Sequence, residues 1–108
     1  MEDHAFYETD LLEVVLPDSL EVVCPYAFAY NNRVRRIELG SALRFIGTFA
    51  FADYYELEEV TVRAVEPPQV AETSFDAMPD GVRLRVPAES VDKYRSDPVW
   101  GRFCVESL

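Results

Sequence analysis

The sequence repeats itself with a period of 23 residues. Residues 14–36 align with residues 37–59 without gaps, and the identical pairs are Leu16/Leu39, Leu20/Leu43, Ala27/Ala50, Phe28/Phe51 and Ala29/Ala52. Chance would give about one or two identities at ordinary residue frequencies. A period of this length is typical of a solenoid, in which each repeat buries its apolar face only against its neighbours.

Each repeat contains two apolar segments that predict short strands on opposite sides of the coil. The first alternates apolar and polar residues, in 34–39 and 57–62, with an earlier copy at 11–16 and a divergent one at 82–86. Such alternation indicates strands with one buried face. The second segment, as in residues 20–28, returns the chain along the other side. Stacked turns would align equivalent strands into a parallel sheet with a spacing of about 4.8 Å.

The repeat resembles the BspA-type family of bacterial leucine-rich repeats. An Ala-Phe pair is followed by a Leu-x-x-Ile pattern, first as Ala27-Phe28 before Val34-x-x-Ile37, and again from Ala50-Phe51 onwards. The ending with Pro67-Pro68, Pro87 and Trp100 is also similar to the tails of this family. One departure concerns the cysteine that the family commonly carries after Ala-Phe. Asn31 and Tyr54 stand there, so we expect no cysteine or regular asparagine ladder at that edge.

We therefore predict a single domain over residues 1–108, a right-handed, β-rich leucine-rich-repeat solenoid of about three to four turns. Its predicted parts are repeats at about 14–36 and 37–59, a divergent repeat at 60–87 and a C-terminal cap at 88–108. Within the cap, residues 89–96 are predicted to form a short helix that Asp97-Pro98 ends. Trp100 and Phe103 are then expected to cover the last turn as core residues.

The N-terminal part of the chain has no recognisable cap. Ala5-Phe6 corresponds to the middle of a repeat, whereas the first repeat of a solenoid normally needs a polar, atypical cap. The hypothesis is either that earlier repeats precede this segment or that another chain covers its first turn. Residues 1–32 contain seven acidic and no basic residues, so such an acidic end could meet a basic neighbour.

Composition and charge disfavour two classes of partner. A net charge of −10, from 10 basic and 20 acidic residues, disfavours nucleic acids and anionic membranes. No apolar stretch approaches the ~18 residues of a membrane span, so no membrane insertion is expected. The first residues do not resemble a secretory signal peptide.

Cys24 and Cys104 show neither metal-ligand spacing nor a redox motif, and both are expected to be buried or half-buried thiols.

Nothing in the sequence points to catalysis. His4 is the single histidine, so no histidine-based triad or metal cluster can be assembled. The four glycines form no phosphate-binding loop. The carboxylates lie at solvent-facing positions of the repeat, where no apolar shielding would raise their pKa. We predict that the protein is not an enzyme and has no cofactor and no metal site.

The first candidate binding surface is the solvent-facing side of the predicted strands, which is the concave side in leucine-rich repeats. Its candidate residues are Glu13, Arg36, Glu38, Glu59, Thr61, Arg83 and Arg85. The series Glu13, Arg36, Glu59, Arg83 alternates in sign. Cross-strand pairs of opposite charge stabilise a sheet by about 0.2–1 kcal/mol each. The series is therefore interpreted either as a self-neutralising ladder that sets strand register or as a recognition surface.

The second candidate surface is the loop edge after each Ala-Phe pair. Its candidate residues are Tyr30, Asn31, Asn32, Tyr54 and Tyr55, and Asp53 lies beside them. Tyrosine with asparagine or aspartate suits contacts that are partly apolar and partly hydrogen-bonded. The alternative is that one tyrosine of each loop packs against the coil. Of the two surfaces, the tyrosine edge is the favoured binding site.

The resemblance implies a non-catalytic, adhesion-type module of a bacterial surface or secreted protein. Its partners would be proteins or glycans. The alternative is a structural or assembly role, in which the uncapped N-terminal edge pairs with a second copy in a homodimer or packs on an upstream domain.

Overall fold

The computed structural model describes residues 13–31 and 33–108. Its described part contains short strands, one helix and two 3₁₀ turns. The strands are β1 (Glu13–Val15), β2 (Val22–Val23), β3 (Arg36–Leu39), β4 (Phe45–Ile46), β5 (Glu59–Val62), β6 (Gln69–Val70), β7 (Arg83–Val86) and β8 (Cys104–Ser107). The helix is α1 (Val91–Arg95), and the 3₁₀ turns are Ala88–Ser90 and Trp100–Arg102.

The strands form two parallel sheets on opposite sides of the coil. A five-stranded sheet has the order β1-β3-β5-β7-β8, and a three-stranded sheet has the order β2-β4-β6. Glu13 pairs with Arg36, Arg36 with Glu59, and Glu59 with Arg83. Each repeat therefore makes one turn, and equivalent residues stack in register. The prediction of a β-rich leucine-rich-repeat solenoid is confirmed.

The core lies between the two sheets and contains a column of stacked aromatic rings. The rings of Phe28 and Phe51 lie 5.6 Å apart at 7°, and those of Phe51 and Phe75 lie 5.3 Å apart at 14°. Trp100 and Phe103 then approach the Phe75 ring to 5.4 and 5.2 Å. Parallel rings recur because successive turns place the same side chain at the same height. The predicted role of Trp100 and Phe103 as core residues over the last turn is confirmed.

The C-terminal segment adds a strand that the sequence analysis did not predict. The region 88–108 was expected to contain only a short helix and aromatic residues, but β8 extends the larger sheet. The Cys104 N–H donates to the Val82 carbonyl at 2.9 Å, and the Leu108 N–H donates to the Val86 carbonyl at 2.8 Å. Cys104 is exposed, so its predicted burial is wrong, whereas Cys24 is half-buried.

The turns after the second strands use left-handed backbone conformations at non-glycine residues. Tyr26 and Phe49 have φ of 62° and 56°, and Tyr30 and Asp53 have φ of 62° and 64°. Left-handed conformations cost about 1–2 kcal/mol per residue for L-amino acids. Hydrogen bonds between successive turns offset that cost, including the 2.9 Å bond from the Tyr30 N–H to the Ala52 carbonyl.

The expectations for the N-terminal edge, including Ala5-Phe6 and the homodimer contact, lie outside the described residues. The described part begins with β1, which pairs with β3 along Glu13, Val14 and Val15.

Candidate functional site

The solvent side of the five-stranded sheet, here called the sheet face, carries two columns of side chains. The first column is Glu13, Arg36, Glu59, Arg83 and Cys104, and the second is Val15, Glu38, Thr61, Arg85 and Glu106. Residues between these positions point into the core, because side chains alternate between the two faces of a strand. The strand register therefore brings the predicted concave-face residues together on one surface.

Two arginines enclose one carboxylate near the middle of the sheet face. Arg83 Nη2 and Arg85 Nη1 lie 3.5 and 3.7 Å from Glu59 Oε1. The Glu59 side chain is only 15% exposed, whereas those of Arg83 and Arg85 are 56% and 41% exposed. Arg85 also reaches Glu106 at 3.8 Å. The carboxylate is recessed, and the two guanidinium groups above it remain open to solvent.

Arg36 differs from the other two arginines of the sheet face. It stacks between Glu13 and Glu59 in register, yet within the described residues neither carboxylate comes within the 4.0 Å of an ion pair. Glu38 instead pairs with Arg63, which follows β5, at 3.6 Å. The predicted charge ladder is thus only partly an ion-pair ladder, and Arg36 is an exposed cation.

Thr61 does not contribute a contact surface. It was predicted as a partner-binding residue, but it is 5% exposed. Its neighbours in register are Glu38 and Arg85, whose side chains are much longer and stand on both sides of it. The prediction for Thr61 is wrong because a short side chain between two long ones is covered by them.

The tyrosine edge is largely an interior feature, which corrects the prediction for two of its residues. Asn31 and Tyr54 are both 0% exposed. The Asn31 amide donates to the Phe28 carbonyl at 2.7 Å, and the Tyr54 hydroxyl donates to the same oxygen. Burial raises the pKa of Tyr54 well above its ordinary value of 10.0. These donors satisfy a buried backbone acceptor, so they cannot face a partner.

Tyr30 and Tyr55 remain at the surface of the loop edge. Tyr55 is 59% exposed and Tyr30 is half-buried. A hydrogen bond to Asp53 raises the pKa of Tyr55, and the nearby charge of Asp76 acts in the same direction. Asn32 lies outside the described residues. This edge therefore offers one well-exposed aromatic ring beside two carboxylates, which is less than the sequence predicted.

The described residues contain no group of three or more histidine, cysteine or carboxylate side chains that could hold a metal ion. Within the same residues, no helix has both the length and the apolar character to cross a bilayer.

Comparison with models of known protein families shows which family the chain belongs to. The model of the BspA type leucine rich repeat region matches residues 1–80. The chain belongs to the BspA-type leucine-rich-repeat family. In this family the repeat is a module that is often used in protein binding and is typically non-catalytic, and members are generally surface or secreted bacterial proteins. No curated protein matches the chain.

The 23-residue repeat explains why Asn31 and Tyr54 are buried rather than exposed. Asn31 and Tyr54 are equivalent residues of successive repeats. We expected no ladder there, yet both side chains donate to the Phe28 carbonyl from inside the coil. The sequence did contain an indication of this buried role, because both side chains can donate a hydrogen bond and both stand at the same position of successive repeats. Polarity alone suggested exposure and misled the interpretation.

Proposed function

We propose that this chain is a non-catalytic, adhesion-type binding module of a bacterial surface or secreted protein, and that its sheet face binds a protein or glycan partner. The observation that carries the proposal is the group of three arginines around the recessed Glu59, of which Arg36 and Arg83 are exposed and Arg85 is half-buried. The chain as a whole has a net charge of −10, and on the sheet face these three arginines lie among four glutamates.

The arginines are available for a partner because their internal ion pairs are loose. The separations from Arg83 and Arg85 to Glu59 are 3.5 and 3.7 Å, longer than the 2.7–2.9 Å of a strong charge-assisted hydrogen bond. Exposed pairs of this kind contribute about 0–1 kcal/mol. A partner's carboxylate or sulfate can therefore take over guanidinium donors at little cost. Arg36 has no ion pair within the described residues, so a partner can bind its guanidinium group without displacing an internal carboxylate.

The sheet face is also preorganised. On its inner side, the side chains of Val14, Ile37, Val60 and Leu84 are at most 3% exposed. Parallel pairing on both sides holds β3, β5 and β7 in place. A rigid surface loses little conformational entropy on binding, which favours affinity. One strand, β5, lies between Arg36 on β3 and Arg83 on β7, so two strand spacings, about 10 Å, separate their backbones.

The test is binding to a defined panel of extracellular-matrix proteins and an array of acidic and neutral glycans. The variant Arg36→Glu with Arg83→Glu reverses two charges of the sheet face. The matched control is Arg35→Glu with Arg102→Glu, which changes the net charge by the same amount. Arg35 and Arg102 are exposed residues outside the sheet face.

We expect at least one panel member to bind the unaltered protein and the control pair. The sheet-face variant should bind that member at least tenfold more weakly. Binding by no member of the panel, or equal loss in both double variants, would contradict the proposal. Circular dichroism and thermal melting of each variant identify any loss that comes from unfolding.

A further inference from the structure

A groove lies between two successive turns of the coil, on the edge that connects the two sheets. It has a volume of about 450 Å³. Its walls are residues 41–44, which follow β3, and residues 63–68, which follow β5. It lies beyond the ends of these strands, so it is a different surface from the sheet face.

The sequence explains why the turns separate here. The preceding pair of turns is joined by the Ala42 N–H, which donates to the Asp18 carbonyl at 3.2 Å. The next pair is joined at its two ends only, by the Arg63 N–H to Leu39 and the Gln69 N–H to Arg44. Between those bonds, no backbone hydrogen bond links the two walls in the described residues.

Two features of the wall formed by residues 63–68, here called the lower wall, cause this separation. The step from β5 to β6 is one residue longer than the step from β3 to β4, as the pairing of Phe45 with Gln69 shows. Pro67 and Pro68 then remove two N–H groups that could have donated to the turn above. The extra residue and the missing donors hold the walls apart, and a groove results.

The C-terminal cap holds the lower wall rigidly. The Tyr94 hydroxyl donates to the Ala64 carbonyl at 2.6 Å, and Ser90 Oγ donates to the Val65 carbonyl at 2.7 Å. Trp100 Nε1 donates to the Pro68 carbonyl at 3.0 Å. Three side chains of the cap therefore hold one wall at three of its carbonyl groups. The groove is preformed and need not be opened by a ligand.

The floor of the groove is apolar, and a cation stands at each end. Val65 is 44% exposed although it is apolar. Arg63 lies at the end next to the five-stranded sheet and Arg44 at the end next to the three-stranded sheet, as their backbone bonds show. Their side chains are 48% and 77% exposed. The one carboxylate of the lining, Glu66, is paired with Lys93.

We propose that this groove binds an extended segment of a protein partner in which an apolar side chain is flanked by acidic residues. The apolar side chain would cover Val65 and its neighbours, and the two carboxylates would bind Arg44 and Arg63. Among the described residues, each arginine pairs with one exposed carboxylate, Arg44 with Glu21 at 3.3 Å and Arg63 with Glu38 at 3.6 Å. Such exposed pairs are weak and leave further guanidinium donors for a bound carboxylate.

The experiment uses a peptide array and the full chain. Each peptide carries one leucine between two glutamates, with spacings that vary from one to four residues on each side. A second set replaces the leucine with serine, and a third replaces the glutamates with lysines. Fluorescence anisotropy then measures the affinity of the best peptide for the protein and its variants.

Three variants separate the contributions. Arg44→Glu with Arg63→Glu reverses the end charges, and Ala42→Trp fills the groove without changing charge. The control is Arg35→Glu with Arg102→Glu, which makes the same change in net charge away from the groove. We expect the first two to weaken binding at least tenfold and the control to change it less than twofold. The serine and lysine peptides should also bind at least tenfold more weakly.

Three results would overturn the proposal. One is the absence of binding by every leucine peptide at protein concentrations up to about 1 mM. A Kd of about 1 mM corresponds to a binding free energy of only ~4 kcal/mol. Another is equal binding of leucine and serine peptides, which would show attraction by charge alone. The third is undiminished binding to Ala42→Trp when that variant is folded by circular dichroism. None of these results bears on the sheet face, because Arg36 and Arg83 are unchanged.

Discussion

The loss of one hydroxyl group should have different consequences at Tyr94 and Tyr54. Both side chains are 0% exposed, and both donate to a backbone carbonyl of a neighbouring turn. At Phe28, the carbonyl keeps the Asn31 amide as a donor when Tyr54 is replaced by phenylalanine. At Ala64, no other donor among the described residues serves the carbonyl. Tyr94→Phe therefore leaves a buried acceptor without a partner.

The expected magnitudes follow from this difference. An unsatisfied buried group costs about 1–3 kcal/mol, whereas a lost hydrogen bond with a remaining partner costs about 0.5–1.5 kcal/mol. We therefore expect Tyr94→Phe to lower the free energy of unfolding by about 2 kcal/mol and Tyr54→Phe by about 1 kcal/mol. For a domain of this size, 1 kcal/mol corresponds to roughly 4–8 °C in Tm. Tyr94→Phe should thus lower Tm by about 12 °C and Tyr54→Phe by about 6 °C.

Urea denaturation followed by the fluorescence of Trp100, the single tryptophan, measures both changes. The slope of the free energy against urea should be the same in all variants, because the surface exposed on unfolding is unchanged. Tyr55→Phe is the control, since its exposed hydroxyl should change stability by less than about 0.5 kcal/mol. A loss at Tyr54 equal to or larger than that at Tyr94 would refute the reasoning.

Two further predictions concern close packing and pH. Gly47→Ala should lower Tm strongly, because an added Cβ would lie 2.5 Å from the Pro25 nitrogen of the neighbouring turn. Gly81→Ala meets open space and should cost only about 1–2 kcal/mol for its φ of 75°. Similar Tm values for the two variants would contradict this account. Burial raises the pKa of Tyr54 and Tyr94 above 10.0, so the folded state binds these protons more tightly than the unfolded state. Stability should therefore be lost as pH rises above 10, and replacing both tyrosines with phenylalanine should make that loss smaller in thermal melts from pH 8 to 12.

The 23-residue period was enough to predict the coil and the register of its first strands, because one apolar pattern recurs along the chain. β8 could not be predicted in the same way. In Cys104–Ser107 only Val105 is an inward apolar residue, so the segment lacks the alternation that indicates a strand. Its pairing depends on the edge that β7 offers, which is a tertiary effect.

The candidate sites were harder to predict than the fold. Asn31, Tyr54 and Thr61 are polar, and polarity usually indicates exposure. In a narrow coil, however, the turns bury carbonyl groups that need donors, and Asn31 and Tyr54 satisfy one of them. The groove next to Val65 depends on one extra residue and two prolines, whose effect appears only when successive turns are stacked.

The central claim, that the sheet face binds the partner, is tested most directly by mapping amide chemical-shift changes when a panel ligand is added to ¹⁵N-labelled protein. We predict that the largest changes fall on β3, β5 and β7, around Arg36, Glu59 and Arg83. Changes confined to β2, β4 and β6 on the opposite side of the coil, or to the loop edge around Tyr55, would contradict the claim.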